Sequence, residues 1–129
     1  MSTVRVADPS QLDAVLNSLA PAPASVFVLF FGTEDETTQQ SWCPDCVRAD
    51  PKVRATLAAL PDAVLVACPI DRTPWKDAEH PHLYRTRNDI RLTAIPTLFR
   101  WNKNTGFGKH PLVENECEDD AKLAAFVAP

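Results

Sequence analysis

Two stretches of this chain are apolar almost without interruption. Val26-Phe27-Val28-Leu29-Phe30-Phe31 and the run from Ala63 to Ile70 are rich in Val, Leu and Phe. Each is too short to span a membrane, and both predict buried β-strands. Other segments repeat at helical spacing. Leu12, Val15, Leu16 and Leu19 form one stripe, opened by Asp8-Pro9-Ser10 and ended by Pro21 and Pro23. Val47, Val53, Leu57 and Leu60 form a second, on a helix that starts near Cys46, bends at Pro51 and closes at Leu60-Pro61-Asp62. Between the first strand and this helix lies a polar loop, Gly32 to Ser41, with no apolar residue inside it.

The remaining pattern is weaker. Val4 to Val6 predicts a short first strand. Asp71 to Asn88 is charged and Pro-containing, with a helix expected over Leu83 to Asn88. Thr97 to Trp101 predicts a strand, Asn102 to Gly106 a turn, and His110 to Val113 an edge strand. Glu116 to Val127 predicts a closing helix with Leu123, Phe126 and Val127 inward. The order β-α-β-α-β-α-β-β-α predicts an α/β fold, a central mixed β-sheet flanked by helices on both faces.

A length of 129 residues suits one domain, residues 1–129, that buries a core without disulfide staples. A net charge of −4 and the absence of any Lys/Arg run argue against a nucleic-acid partner. The start, Met1-Ser2-Thr3-Val4-Arg5, has no basic-then-apolar leader, and no apolar stretch approaches membrane-spanning length. A cytoplasmic monomer with no membrane association is expected. In that compartment stable structural disulfides are rare, and paired cysteines serve catalysis or metal binding.

The candidate chemistry sits in Trp42-Cys43-Pro44-Asp45-Cys46. Four cysteines scattered over this length give a CxxC spacing in roughly one random arrangement in ten, so the spacing alone is weak. Its place between an apolar strand and a helical stripe strengthens it. On a first helical turn two such thiols come within bridging range, and the free N–H groups and positive dipole end there favour a thiolate. Cys43, at the helix start, is the expected nucleophile, attacking a substrate disulfide; Cys46 then resolves the mixed disulfide. Pro44 suits the start of a helix. Asp45 suits the dipole, but its charge opposes a nearby thiolate and raises the Cys43 pKa.

Alternatives from other classes stay open on these residues. A zinc module would use Cys43 and Cys46 but lacks a second CxxC or a paired His motif. A redox-sensing adaptor would use the same dithiol with little turnover. Cys68 and Cys117 read as buried apolar residues, and His80, His82 and His110 as surface residues with no ligand spacing. Glu114, Glu116, Glu118, Asp119 and Asp120 read as a solvated helix start.

The order of elements, the CxxC at a helix start and Ala94-Ile95-Pro96-Thr97 before a strand resemble the thioredoxin superfamily. Ser41-Trp42-Cys43-Pro44-Asp45-Cys46-Val47, the long loop before Trp42, Trp75-Lys76-Asp77, Ile95-Pro96-Thr97-Leu98, and Leu112-Val113-Glu114 followed by Cys117 resemble one branch of it, the thioredoxin domain-containing protein 17 family. The resemblance covers essentially the whole chain. It implies a thioredoxin-like fold and a cytosolic disulfide reductase that binds no cofactor and is re-reduced by thioredoxin reductase with electrons from NADPH. Small disulfides such as cystine, persulfides, nitrosothiols and a weak peroxidase activity go with that family. The resemblance also implies a cis Pro96, placing the Ile95 backbone beside Cys43; the residues alone favour the commoner trans form. Trp42 reads either as a cover over the dithiol or as a core aromatic. Where ordinary thioredoxin has a buried Asp on the central strand, aligning the strands puts Phe30, leaving Asp45 or water to deprotonate Cys46.

Overall fold

The two apolar runs lie side by side at the centre of a six-stranded sheet. A computed structural model describes residues 1–19 and 25–128, so Pro21 and Pro23 fall outside the described residues. The strands are β1 (Ser2–Arg5), β2 (Ser25–Gly32), β3 (Ala63–Ile70), β4 (Thr97–Asn102), β5 (Gly106–Phe107) and β6 (Leu112–Val113). Their order is β1-β3-β2-β4-β5, with β6 also on β4. β1, β3 and β2 run parallel, and β4 is antiparallel to β2, β5 and β6. The sheet is therefore mixed. All eight residues of β3 are buried, as a central strand covered on both faces requires.

Among the described residues five α-helices complete the fold: α1 (Leu12–Asn17), α2 (Pro44–Ala58), α3 (Arg72–Lys76), α4 (Leu83–Thr86) and α5 (Asp120–Val127). Side chains alternate along β2, and this sorts the helices onto two faces. Phe27 packs against Phe126 of α5 (ring centroids 6.2 Å apart), and Phe31 shares a cleft with residues of α2. Phe30 points the other way, edge-on to Tyr84 of α4 at 4.7 Å. An Arg87–Asp13 ion pair of 3.0 Å ties the end of α4 to α1.

Several elements depart from the sequence expectation for local reasons. α3 is an additional helix of five residues with Trp75 buried, hidden in sequence by its Pro74 and its charged neighbours. The closing helix is split: Glu114–Glu118 form a 3-10 turn, Asp119 is extended, and its side chain accepts the Lys122 N–H to cap α5. α2 buries Cys46, Ala49, Val53 and Leu57, leaving Val47 exposed. Its Pro51 lies inside the helix and offers no N–H to the Val47 carbonyl. Among the described residues no helix is long and apolar enough to cross a membrane.

Candidate active site

β2 delivers the chain to one end of the sheet, and α2 begins beside it. Cys43 is the N-cap of α2, in extended conformation (φ −97°, ψ 112°), and Pro44 follows in the first turn. The Cys43 Sγ takes the place of a Ser or Thr oxygen and accepts the Cys46 N–H at 3.4 Å. The motif spacing thus does two things at once: it pairs the sulfurs on one turn and aims a backbone donor at the first of them. Cys43 is 6% exposed and Cys46 only 1%.

Two residues ahead of the motif hold it in place. The Ser41 hydroxyl accepts the Cys43 N–H at 3.1 Å and donates to the Gly32 carbonyl at 2.6 Å. The Gly32 N–H in turn donates to Cys46 Sγ at 3.4 Å. Gly32 has no room for a side chain: a Cβ there would lie 2.8 Å from Ser41 Oγ and from the Trp42 ring, and 3.0 Å from Cys43 Cβ. Trp42 is half-buried, and its indole N–H donates to the Ile70 carbonyl at 2.8 Å, fastening the ring to the end of β3. The polar loop is an ordered hairpin-like excursion, closed by a Glu34–Ser41 bridge and tied to β1 through a bidentate Arg5–Glu34 pair at 3.0 and 3.1 Å.

A second segment reaches the dithiol from the other side. The Ile95–Pro96 peptide bond is cis, and the Ile95 carbonyl lies 3.7 Å from Cys43 Sγ, where the thiol can donate to it. Behind Pro96, the buried Cys117 thiol donates to the Leu112 carbonyl at 3.3 Å and lies 3.8 Å from the Pro96 carbonyl. Cys117 therefore supports the segment that faces Cys43.

The two sulfurs differ sharply in acidity. The Cys43 pKa is lowered to about 7, first by the hydrogen bond from the Cys46 side chain and also by the Cys46 N–H; burial and the Asp45 charge oppose this. Cys46 is driven well above the ordinary thiol range, first because it donates to Cys43 and then because it is buried, with the Gly32 N–H opposing. The two thiols titrate as a coupled pair in which Cys43 is the more acidic. Asp45 is half-exposed and pairs with Arg48, three residues along α2, whose Nε donates to Glu118 at 3.0 Å.

Phe30 does not stand in for a buried carboxylate beneath Cys46. Its side chain lies on the opposite face of the sheet, packed on Tyr84 and on Phe99 at 5.8 Å. Phe31 occupies the Cys46 side, lining with Ser41, Cys46, Asp50 and Arg54 an open cleft of about 450 Å³. A shift of one residue along a strand reverses its face, which explains the misplacement. Among the described residues no Asp or Glu side chain is buried, so no carboxylate is buried under the dithiol.

Trp42, Cys43, Asp45, Cys46 and Pro96 thus meet at one end of the sheet. Gly32, Ser41 and Arg48 join them without having been singled out in sequence; the clue was a glycine closing an apolar strand. Cys68 lies in β3, fully buried opposite Phe30, its thiol pushed up to about 12 by burial. His80 and His110 are exposed, but His82 is half-buried and caps α4, its Nδ1 accepting the Tyr84 N–H at 3.0 Å. Among the described residues no group of three or more His, Cys, Asp or Glu side chains is placed to hold a metal ion.

Comparison with known proteins agrees with this geometry. Residues 6–129 match the family model described as "Thioredoxin domain-containing protein 17-like, thioredoxin domain". The chain belongs to this family. Similar proteins include the thioredoxin-like protein Clot of Arabidopsis thaliana, 39% identical over 80% of each chain. The thioredoxin domain-containing protein 17 of Danio rerio is 40% identical over 71% of this chain and 68% of its own, and that of Homo sapiens 35% over 72% and 69%. Among solved structures, thioredoxin O1 of Arabidopsis thaliana in the oxidised state superposes with a TM-score of 0.55, at 16% identity, covering 88% of this chain and 86% of its own. The fold is thioredoxin-like, and membership of the family makes this a thioredoxin-like redox protein.

Proposed function

We propose that this protein is a thiol–disulfide oxidoreductase working in the reducing direction, with Cys43 as nucleophile and Cys46 as resolving thiol. The observation that carries the reading is the geometry of the pair: Cys43 caps α2 and accepts the Cys46 N–H at 3.4 Å, which lowers its pKa, whereas Cys46 is 1% exposed and its pKa is raised. A lowered Cys43 pKa favours the thiolate, the form that attacks a disulfide.

In the first step the Cys43 thiolate attacks one sulfur of the substrate disulfide. A new S–S bond forms, the old one breaks, and the departing sulfur leaves as a thiolate that takes a proton from water. Forming that mixed disulfide removes the negative charge from Cys43, so Cys46 no longer has an anion to stabilise and loses its proton more readily. Its proton passes to water in the adjoining cleft, since no carboxylate is buried beneath it. The Cys46 thiolate then attacks Cys43 Sγ and releases the second half of the substrate reduced. The dithiol has given two electrons and become a disulfide.

Small disulfides such as cystine, together with oxidised thiols such as persulfides and nitrosothiols, are the substrates in this reading, with a weak peroxidase activity alongside. Thioredoxin reductase returns the electrons from NADPH, in the cytoplasm, and the protein itself binds no cofactor. The resemblance of the Trp42–Cys46 motif and its long preceding loop supports these choices. The test is an NADPH-coupled assay with thioredoxin reductase over a panel of small and protein disulfides. Turnover of cystine that vanishes in Cys43→Ser supports the reading. Slow turnover throughout, with dithiol-dependent capture of a protein partner, would favour a redox-sensing adaptor.

A further inference from the structure

Asp45 places a negative charge where an anion has to form, and that charge works against the Cys43 thiolate. The fold answers it within one helical turn. The Arg48 guanidinium pairs with Asp45, and its Nε donates to Glu118 Oε1 at 3.0 Å. Glu118 ends the 3-10 turn packed against α2, and its carbonyl accepts from Lys52 Nζ at 3.0 Å. A second tie runs from Lys52 to Asp120 of α5 at 3.6 Å. Arg48 is therefore gripped at two points by groups from two elements, a use that suits a planar fork of donors better than a single ammonium.

We propose that Arg48 is a positioning residue of the dithiol: anchored on Glu118, it holds and neutralises the Asp45 carboxylate, so that Cys43 reacts beside an ion pair instead of beside a lone anion. This rests on the reading of Cys43 as nucleophile and concerns how its reactivity is set. The groups that act on Cys43 are the Cys46 thiol and N–H and the Asp45 carboxylate from α2 and the uncharged Ile95 carbonyl from the segment before β4, with Arg48 and Glu118 linked to it through Asp45. Asp45, Arg48 and Glu118 together keep one negative charge, but of the two carboxylates it is Asp45 that opposes the Cys43 thiolate, and the adjacent guanidinium offsets that charge at short range for a substrate bearing carboxylates.

The experiment compares Arg48→Gln, Arg48→Lys, Asp45→Asn and the double variant Asp45→Asn/Arg48→Gln. Cys43 is titrated by its thiolate absorbance, and its alkylation is timed with anionic iodoacetate and neutral iodoacetamide. Arg48→Gln is expected to cut the thiolate fraction below pH 7 by about two- to fivefold and to lower the iodoacetate-to-iodoacetamide rate ratio. Arg48→Lys restores part of both. In the Asp45→Asn background the effect of removing Arg48 shrinks by at least half. An unchanged titration and rate ratio in Arg48→Gln overturns the proposal. So does an equal effect in both backgrounds, because Arg48 would then act on the thiolate directly and not through Asp45. Neither readout needs turnover, so a failure of the reductase assay is distinguishable from a failure here.

Discussion

The backbone N–H of Cys46 points at the Sγ of Cys43 across 3.4 Å. The residue that finishes the reaction is thus the one that prepares it, by stabilising the Cys43 anion through its own amide and its own thiol proton. The geometry follows from the chain: Pro44 forces a helical start, and a helix places the amide three residues on over the N-cap side chain.

Alkylation of the reduced protein is expected to modify Cys43 first. The rate follows the thiolate fraction, so it should be half-maximal near pH 7 and fall about tenfold per pH unit below that. Cys68 and Cys117, both pushed to about 12 by burial, should remain unmodified until the protein unfolds. Peptide mapping after a short pulse checks this; early labelling at Cys46 or Cys68 would contradict the assignment.

Asp45→Asn is expected to lower the Cys43 pKa, because it removes a charge that opposes the thiolate. The carboxylate is half-exposed and already paired with Arg48, so the shift should stay below about one unit. Thiolate absorbance against pH measures it. A rise would mean that Asp45 supports the site chiefly through hydrogen bonding.

Gly32→Ala should disturb the site without touching either sulfur. The added methyl meets Ser41 Oγ, the Trp42 ring and Cys43 Cβ at 2.8 to 3.0 Å, an overpacking that costs roughly 1–3 kcal/mol. Ser41→Ala should destabilise by about 1–3 kcal/mol as well, since it leaves the Cys43 N–H and the Gly32 carbonyl without their partner. Chemical denaturation reads both, and Trp42 fluorescence should change in the first. A Gly32→Ala protein with parental stability and alkylation rate would show that the motif can shift to make room at no cost.

The loop from Gly32 to Ser41 is expected to restrict the size of the substrate. It is long for a strand-to-helix connection, and its anchoring by Arg5 and Asp35 gives it a fixed shape. Shortening it to thioredoxin length should speed reduction of large protein disulfides and leave cystine reduction in place. A folded, shortened variant with the parental substrate profile would assign selectivity to another part of the surface.

The central strands and the dithiol were the legible parts of this sequence, whereas β5, two residues long, lay at the end of an expected turn. β2 and β3 announce themselves because a strand buried on both faces has no polar positions to blur the run. α3 was hidden because five residues with one buried side chain carry no helical period. The break at Asp119 was hidden because an acidic cluster gives no sign of which carboxylate will cap a helix. At the site, the CxxC spacing is local and can be read directly. The contacts that tune it are not local: Ile95 lies 52 residues from Cys43, and Glu118 lies 70 from Arg48. Phe30 shows the same limit on a smaller scale, since a strand's faces are set by register, which the apolar run leaves undefined.

The most direct test of Cys43 as nucleophile and Cys46 as resolving thiol is mass spectrometry of Cys46→Ser after exposure to cystine. Without the resolving thiol, the first step should proceed and the second should stop. The expected product is one half-cystine bound in disulfide linkage to Cys43, removable by dithiothreitol, with no catalytic turnover. The absence of any adduct, or an adduct on Cys68 or Cys117 with Cys43 unmodified, would contradict it.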